Sequence, residues 1–215
     1  MKNLALKKLI RPAIMLLLLT TLVTGVFYPL LVTLVAQHVW PEQAAGSLLK
    51  RDAAADEQFV GSALIGQGFS GATYFWSRPS ATTPMPYNAA NSMGSNLGPT
   101  NPALLALVQA RVHQLRAAQA PFQPQPDQVQ PDQAIPTDLL SSSGSGLDPH
   151  ISPAAAFYQV QRVAAARSLQ AERVRALLER HIEAPQWGIF GDARVNVLRL
   201  NLALDRLSAS VHPGQ

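Results

Sequence analysis

The chain contains no cysteine among its 215 residues. That excludes disulfides, thiolate nucleophiles and zinc or iron–sulfur sites built on cysteine. Charge is also scarce, at 14% of residues. Lysine nearly disappears after the first turns, since only Lys50 follows Lys2, Lys7 and Lys8. A phosphate cradle built on lysine is therefore unavailable, and no Gly-x-x-x-x-Gly-Lys-Ser/Thr sequence exists. A basic face is missing as well. The formal net charge is +4, and Lys2, Lys7, Lys8 and Arg11, which precede the first acidic residue, account for all of it. The remainder is close to neutral, which argues against nucleic acid as a partner.

What the chain does have is one long uncharged run. Between Arg11 and Glu42 there is no formally charged residue, and positions 12–36 are almost wholly apolar. About 20 such residues span a bilayer core as a helix. Trp40 stands where an interfacial aromatic is expected. The run exceeds the apolar region of a signal peptide, and Leu34-Val35-Ala36 is a poor cleavage site, so an uncleaved anchor is expected. Gly25 and Pro29 interrupt it, and Thr20, Thr21 and Thr24 place small polar surface beside Gly25. These five residues are the candidate packing surface toward other membrane helices. Four cations precede the run and none follows until Lys50 and Arg51. The positive-inside rule then puts residues 1–11 in the cytoplasm and the domain outside, in the periplasm of a Gram-negative cell.

Residues 37–58 read as a juxtamembrane connector, and 59–215 as an α+β domain without regular βαβ alternation. Short strands are expected over 60–67 and 73–77. Residues 78–102 carry Pro79, Pro84, Pro86, Pro99 and Pro102, which predicts a loop, either ordered and functional or disordered. Asn101 and Pro102 open a helix to about Ala118, with Leu104, Leu107, Val108, Val112 and Leu115 on one face. Residues 119–136 are a Pro/Gln-rich excursion that buries little. Ser152 and Pro153 open a helix to about Ala166, and another covers 171–181, with Glu172, Arg175, Glu179 and Glu183 as its solvated side. Over 194–204, Val195 and Val197 alternate as in a strand, while the leucines that follow fit a strand or a buried helix.

Few motifs carry chemistry. Gly66-Gln-Gly-Phe-Ser-Gly71 matches a dinucleotide fingerprint by letter only, because a proline-rich loop follows where a helix is required. Gly144-Ser145-Gly146 lacks the first glycine of a nucleophile elbow. Asp148-Pro149-His150 pairs a carboxylate with an imidazole, and reads as a turn organiser because further metal ligands are not near in sequence. Arg78, in a proline-bounded turn, reads as a structural arginine. The phosphorylated Asp-Lys-Thr of an ion pump is absent, so the chain is not expected to hydrolyse ATP by itself. No catalytic, metal or cofactor-binding residue is assigned. A membrane-anchored periplasmic hydrolase remains the competing class, with His113, His150 and His181 available but in no supporting spacing.

Five blocks, in order behind the anchor, carry a resemblance: Gly61–Gln67, Tyr74–Ser80, Gly94–Asn101, Ser145–Ala154 and Arg194–Ala203. The chain resembles the C chain (KdpC) of the potassium-transporting P-type ATPase over essentially its whole length. It departs at Asn91-Ser-Met-Gly, where the family is richer in glycine, and in its longer Pro/Gln stretch. The resemblance implies a non-catalytic accessory subunit of an ATP-driven potassium uptake complex in the inner membrane. Its implied partners are a channel-like potassium-binding subunit, a P-type ATP-hydrolysing subunit and a small single-helix subunit. It also implies a catalytic-chaperone effect on ATP affinity, with ATP as a ligand only in that sense. The cytoplasmic location of ATP conflicts with an external domain, so direct binding is not expected, and coupling would run through the helix. The loops Gly94–Asn101 and Ser141–Ser152 are the expected partner contacts, with Gly94, Asn96, Asn101, Ser145, Asp148 and His150 as candidate residues.

Overall fold

The computed structural model describes residues 2–50, 58–122 and 134–211, and of residues 2–8 the backbone alone. The connector's 51–57 and most of the Pro/Gln excursion (123–133) lie outside the described residues. The chain divides into two compact units, Met1–Leu48 and Leu49–Gln215.

The first unit is a helix. α1 covers Lys2–Leu22, a π-helical turn Val23–Phe27, and α2 Tyr28–Val39, followed by the short α3 at Pro41–Ala44. Helix thus starts within the basic tail and ends three residues beyond Ala36. The segment Leu9–Val39 is long and apolar enough to cross a membrane. The π turn has a local cause. Pro29 cannot donate a hydrogen bond, and its ring crowds the carbonyl four residues back, that of Gly25. The helix widens ahead of it, and the Tyr28 N–H bonds to Val23 O, five residues back. Thr20 and Thr24 return their hydroxyls to backbone carbonyls of the preceding turn, at 2.8 Å to Leu16 and 2.7 Å to Thr20. A Cβ at Gly25 would meet the Thr21 methyl at 4.0 Å, so those two share a face.

The second unit is α+β. β1 (Leu48–Lys50) and β2 (Phe59–Ser62) pair in a two-stranded sheet. Four longer helices follow: α4 (Pro102–Gln119), α5 (Pro153–Ala166), α6 (Ala171–Arg180) and α7 (Val197–Val211). A small antiparallel sheet has the order β3–β5–β4, from His150–Ile151, Arg194–Asn196 and Ile182–Glu183. Asn101 and Ser152 cap α4 and α5 as expected, accepting from Ala103 N and Ala155 N. Ala155, Ala156, Val160, Val163 and Ala164 of α5 pack with Val174 and Leu178 of α6, Leu200 and Leu204 of α7, and Phe75 in one core.

Four expectations change. The strand expected over 60–67 spans only Phe59–Ser62. On α4, Leu107 is exposed, and only Leu115 is fully buried. Glu183 leaves the helix for β4, opposite Arg194. Residues 73–77 form no strand. Phe75 and Trp76 are buried and extended, but their backbone partners are side-chain amides. Asn201 accepts from Phe75 N at 2.9 Å and donates to Phe75 O at 3.0 Å. Gln159 accepts from Trp76 N at 2.8 Å and donates to Trp76 O at 3.2 Å. Two helices thus supply what a neighbouring strand would. The guanidiniums of Arg111 and Arg162 lie over the Trp76 ring at 5.3 and 4.8 Å. Burial, with the Arg111 charge adding to it, lowers the Arg162 pKa to about 10.

Candidate functional site: a cleft walled by loops

The proline-rich loop after Trp76 is ordered, and small hydroxyls order it. Ser80 Oγ donates to Gly146 O at 2.7 Å and accepts from Tyr87 N at 2.9 Å. Thr82 Oγ1 donates to Met85 O and accepts from Asn88 N. The Tyr87 hydroxyl donates to Arg78 O at 2.5 Å, and burial raises its pKa. This loop lies directly on residues 141–150. Ser92 Oγ donates to Ser145 O, and a Cβ on Gly94 would sit 2.9 Å from Gly144 O. Gly146 has φ 68°, and a Cβ there would sit 2.5 Å from Met93 O, so only glycine fits.

Arg78 joins the two loops. Its guanidinium donates to Ser141 O at 3.5 Å, Ser142 O at 3.3 Å and Asp148 Oδ2 at 3.3 Å. Asp148 Oδ1 accepts from His150 N at 3.0 Å and lies 3.3 Å from His150 Nδ1. Burial raises the Asp148 pKa, but the hydrogen bonds from His150 and the charges of His150 and Arg78 outweigh it. The net position is below the ordinary value. On the other side, His150 Nε2 is 3.9 Å from Glu183 Oε2, which accepts from Arg194 Nε at 3.0 Å. The chain Arg78–Asp148–His150–Glu183–Arg194 therefore alternates in charge capacity across β3, β4 and β5. Of these, Arg78, Asp148, His150 and Arg194 line an open cleft of about 710 Å³, with Asp138, Ser152, Ala154 and Asp192 among its remaining walls.

The structure brings Asp148 and His150 into the cleft. Ser145 and Gly94 lie where the two loops meet. Asn96, exposed with φ 53°, and Asn101, which caps α4, are not among the cleft residues. Asp138, Glu183 and Arg194 were missed by sequence reasoning. For Glu183 and Arg194 the only signal was the strand pairing that sets them opposite each other, and three short strands conceal it; Asp138 enters through its bonds to Ser152.

The cleft's walls offer charged groups and hydrogen-bonding side chains. Ser152 Oγ accepts from Ala155 N and donates to Asp138 Oδ1, so its hydroxyl is committed to the helix cap. Among the described residues no group of three or more His, Asp or Glu is placed to hold a metal. The hydrolase alternative has no support here.

Comparison with known proteins identifies the family. The family model described as "KdpC: K+-transporting ATPase, c chain" matches residues 10–206. The protein described as "Potassium-transporting ATPase KdpC subunit" from Dechloromonas aromatica is 55% identical over 202 residues, covering 94% of this chain and 99% of the relative. The protein of the same description from Polaromonas naphthalenivorans is 54% identical over 208 residues, covering 97% and 100%. That from Methylococcus capsulatus is 53% identical over 197 residues, covering 92% and 97%. With an apolar helix fit to span a bilayer and a family match running from that helix into α7, the chain belongs to the KdpC family, the c chain of the potassium-transporting ATPase.

Proposed function

We propose that this chain is a non-catalytic accessory subunit that holds the potassium-transporting ATPase complex together from the extracytoplasmic side. The family match over residues 10–206 carries the reading. The charge asymmetry around Leu9–Val39 supports a cytoplasmic N-terminus and an external 49–215 unit. The partners are a channel-like potassium-binding subunit, a P-type ATP-hydrolysing subunit and a small single-helix subunit. Gly25 and the neighbouring threonines pack against their helices within the bilayer.

Any effect on ATP affinity travels through the anchor helix, since nucleotide is on the other side of the membrane. Titration of the full chain in detergent with ATP should give no saturable signal, and a saturable one would overturn this part. The role itself is tested by co-purification. The tagged chain should come out of mild detergent with the two large subunits, and a chain that emerges alone would refute it. Asn96→Ala and Asp148→Ala should lower recovery of the complex or growth at low potassium. Normal assembly and transport by both variants would remove these loops from the contact surface.

A further inference from the structure

Between β4 and β5 the chain makes a tight projection, Pro185–Gly191. It is closed by hydrogen bonds in both directions between Gln186 and Phe190, at 2.9 and 3.0 Å, and by Gly188 N to Pro185 O at 2.9 Å. Such a turn normally presents polar side chains. This one presents Trp187, Ile189 and Phe190, at 82, 79 and 60% exposure, with Trp187 and Phe190 edge to face at 5.9 Å. Trp187 sits at φ 55°, a left-handed conformation that is a genuine outlier for a bulky residue. Strain of that kind persists only where the surroundings impose it, and it marks functional positions. Here the bonds of the turn impose it and hold the indole out in solvent.

We propose that the Trp187–Phe190 tip is a preorganised anchor that inserts into a concave apolar pocket on one of the large membrane subunits of the same ATPase. The inference rests on the accessory-subunit reading above. Three features favour a protein pocket over a lipid surface. No Lys or Arg lies in 184–191, and the charges flanking that segment are acidic, Glu183 and Asp192. Peripheral membrane-binding segments instead draw on cations to meet anionic headgroups. The tip is fixed rather than pliable, and a fixed shape reduces the ordering cost of fitting a shaped cavity. Finally, Trp clustered with other large apolar groups is the composition of interface hot spots.

The absence of cysteine makes the test clean. Ile189→Cys in the full chain, labelled with a benzophenone maleimide and irradiated in native membranes, should crosslink to a large pump subunit. The triple variant Trp187→Ser, Ile189→Ser, Phe190→Ser should lower co-purification at least tenfold. Its melting temperature should stay at the parent value, because these side chains lie outside the core. Label found on lipid alone, or on no partner, would overturn the proposal, as would co-purification of the triple variant at the parent level. If the unmodified chain itself fails to co-purify, the accessory-subunit reading falls first. If it co-purifies and the tip variant does so equally, only the anchor falls.

Discussion

Asn201 and Gln159 show how much one side chain can hold. Each is fully buried, and each makes a donor and an acceptor bond to the same residue of the 73–77 segment. Replacing Asn201 by leucine keeps the volume but leaves the Phe75 N–H and C=O buried without partners. The expected cost is about 3 kcal/mol, from an unsatisfied buried group costing roughly 1–3 kcal/mol. Denaturant unfolding of the full chain in micelles measures it, and a loss under about 0.5 kcal/mol would remove the pseudo-strand role. Asp148 predicts a pH effect. Its folded pKa lies below its unfolded value of 3.8. The stability it contributes is therefore present above that value and lost as pH falls through the folded one. Asp148→Asn should flatten the decline of melting temperature below about pH 4, while changing its slope little near neutrality. An unchanged acid limb would show that the carboxylate is not held by His150 and Arg78.

At the level of elements, caps were legible and buried amides were not. Asn101-Pro102 and Ser152-Pro153 announce α4 and α5, because a side-chain acceptor followed by a residue without N–H satisfies the helix start locally. Period alone cannot separate a strand from an extended segment whose partners come from distant helices, so 73–77 read as a strand. The turn at Val197 was equally hidden. Val195 and Val197 alternate, but Asn196 ends the strand by accepting from Arg199 N and donating to Ala63 O, 133 positions away. In the candidate site, Asp148 and His150 were visible as neighbours in sequence, whereas Glu183 and Arg194 reach them only through β-pairing. The caps also differ in expected worth. Asn101 is exposed, while Ser152 is half-buried and bonded to Asp138 as well. Ser152→Ala should cost about 1–2 kcal/mol and Asn101→Ala about 0.5–1 kcal/mol. Thermal melts of the two variants check the ranking, and the reverse order would discount the Asp138 contribution.

For the whole molecule, the charge bias lies on one side of the apolar helix. Four cations stand before Leu9–Val39 or in its first turn, and residues 12–49 hold no Lys or Arg. The 49–215 unit is nearly neutral, so it offers little electrostatic barrier to translocation in either direction. On the topology proposed above, the tail is the controlling term. Ser210, exposed on α7, offers a reporter in a chain without cysteine. In spheroplasts, Ser210→Cys should react with a membrane-impermeant maleimide. Changing Lys2, Lys7, Lys8 and Arg11 to Gln, and placing Lys at Gln43, Ala44 and Ala45, reverses the bias across the helix. The same cysteine should then become protected until the membrane is permeabilised. Reaction in both backgrounds would mean that the domain, not the tail, decides orientation. Protection in the parent chain would place the cleft and the Trp187 tip on the cytoplasmic side, within direct reach of ATP.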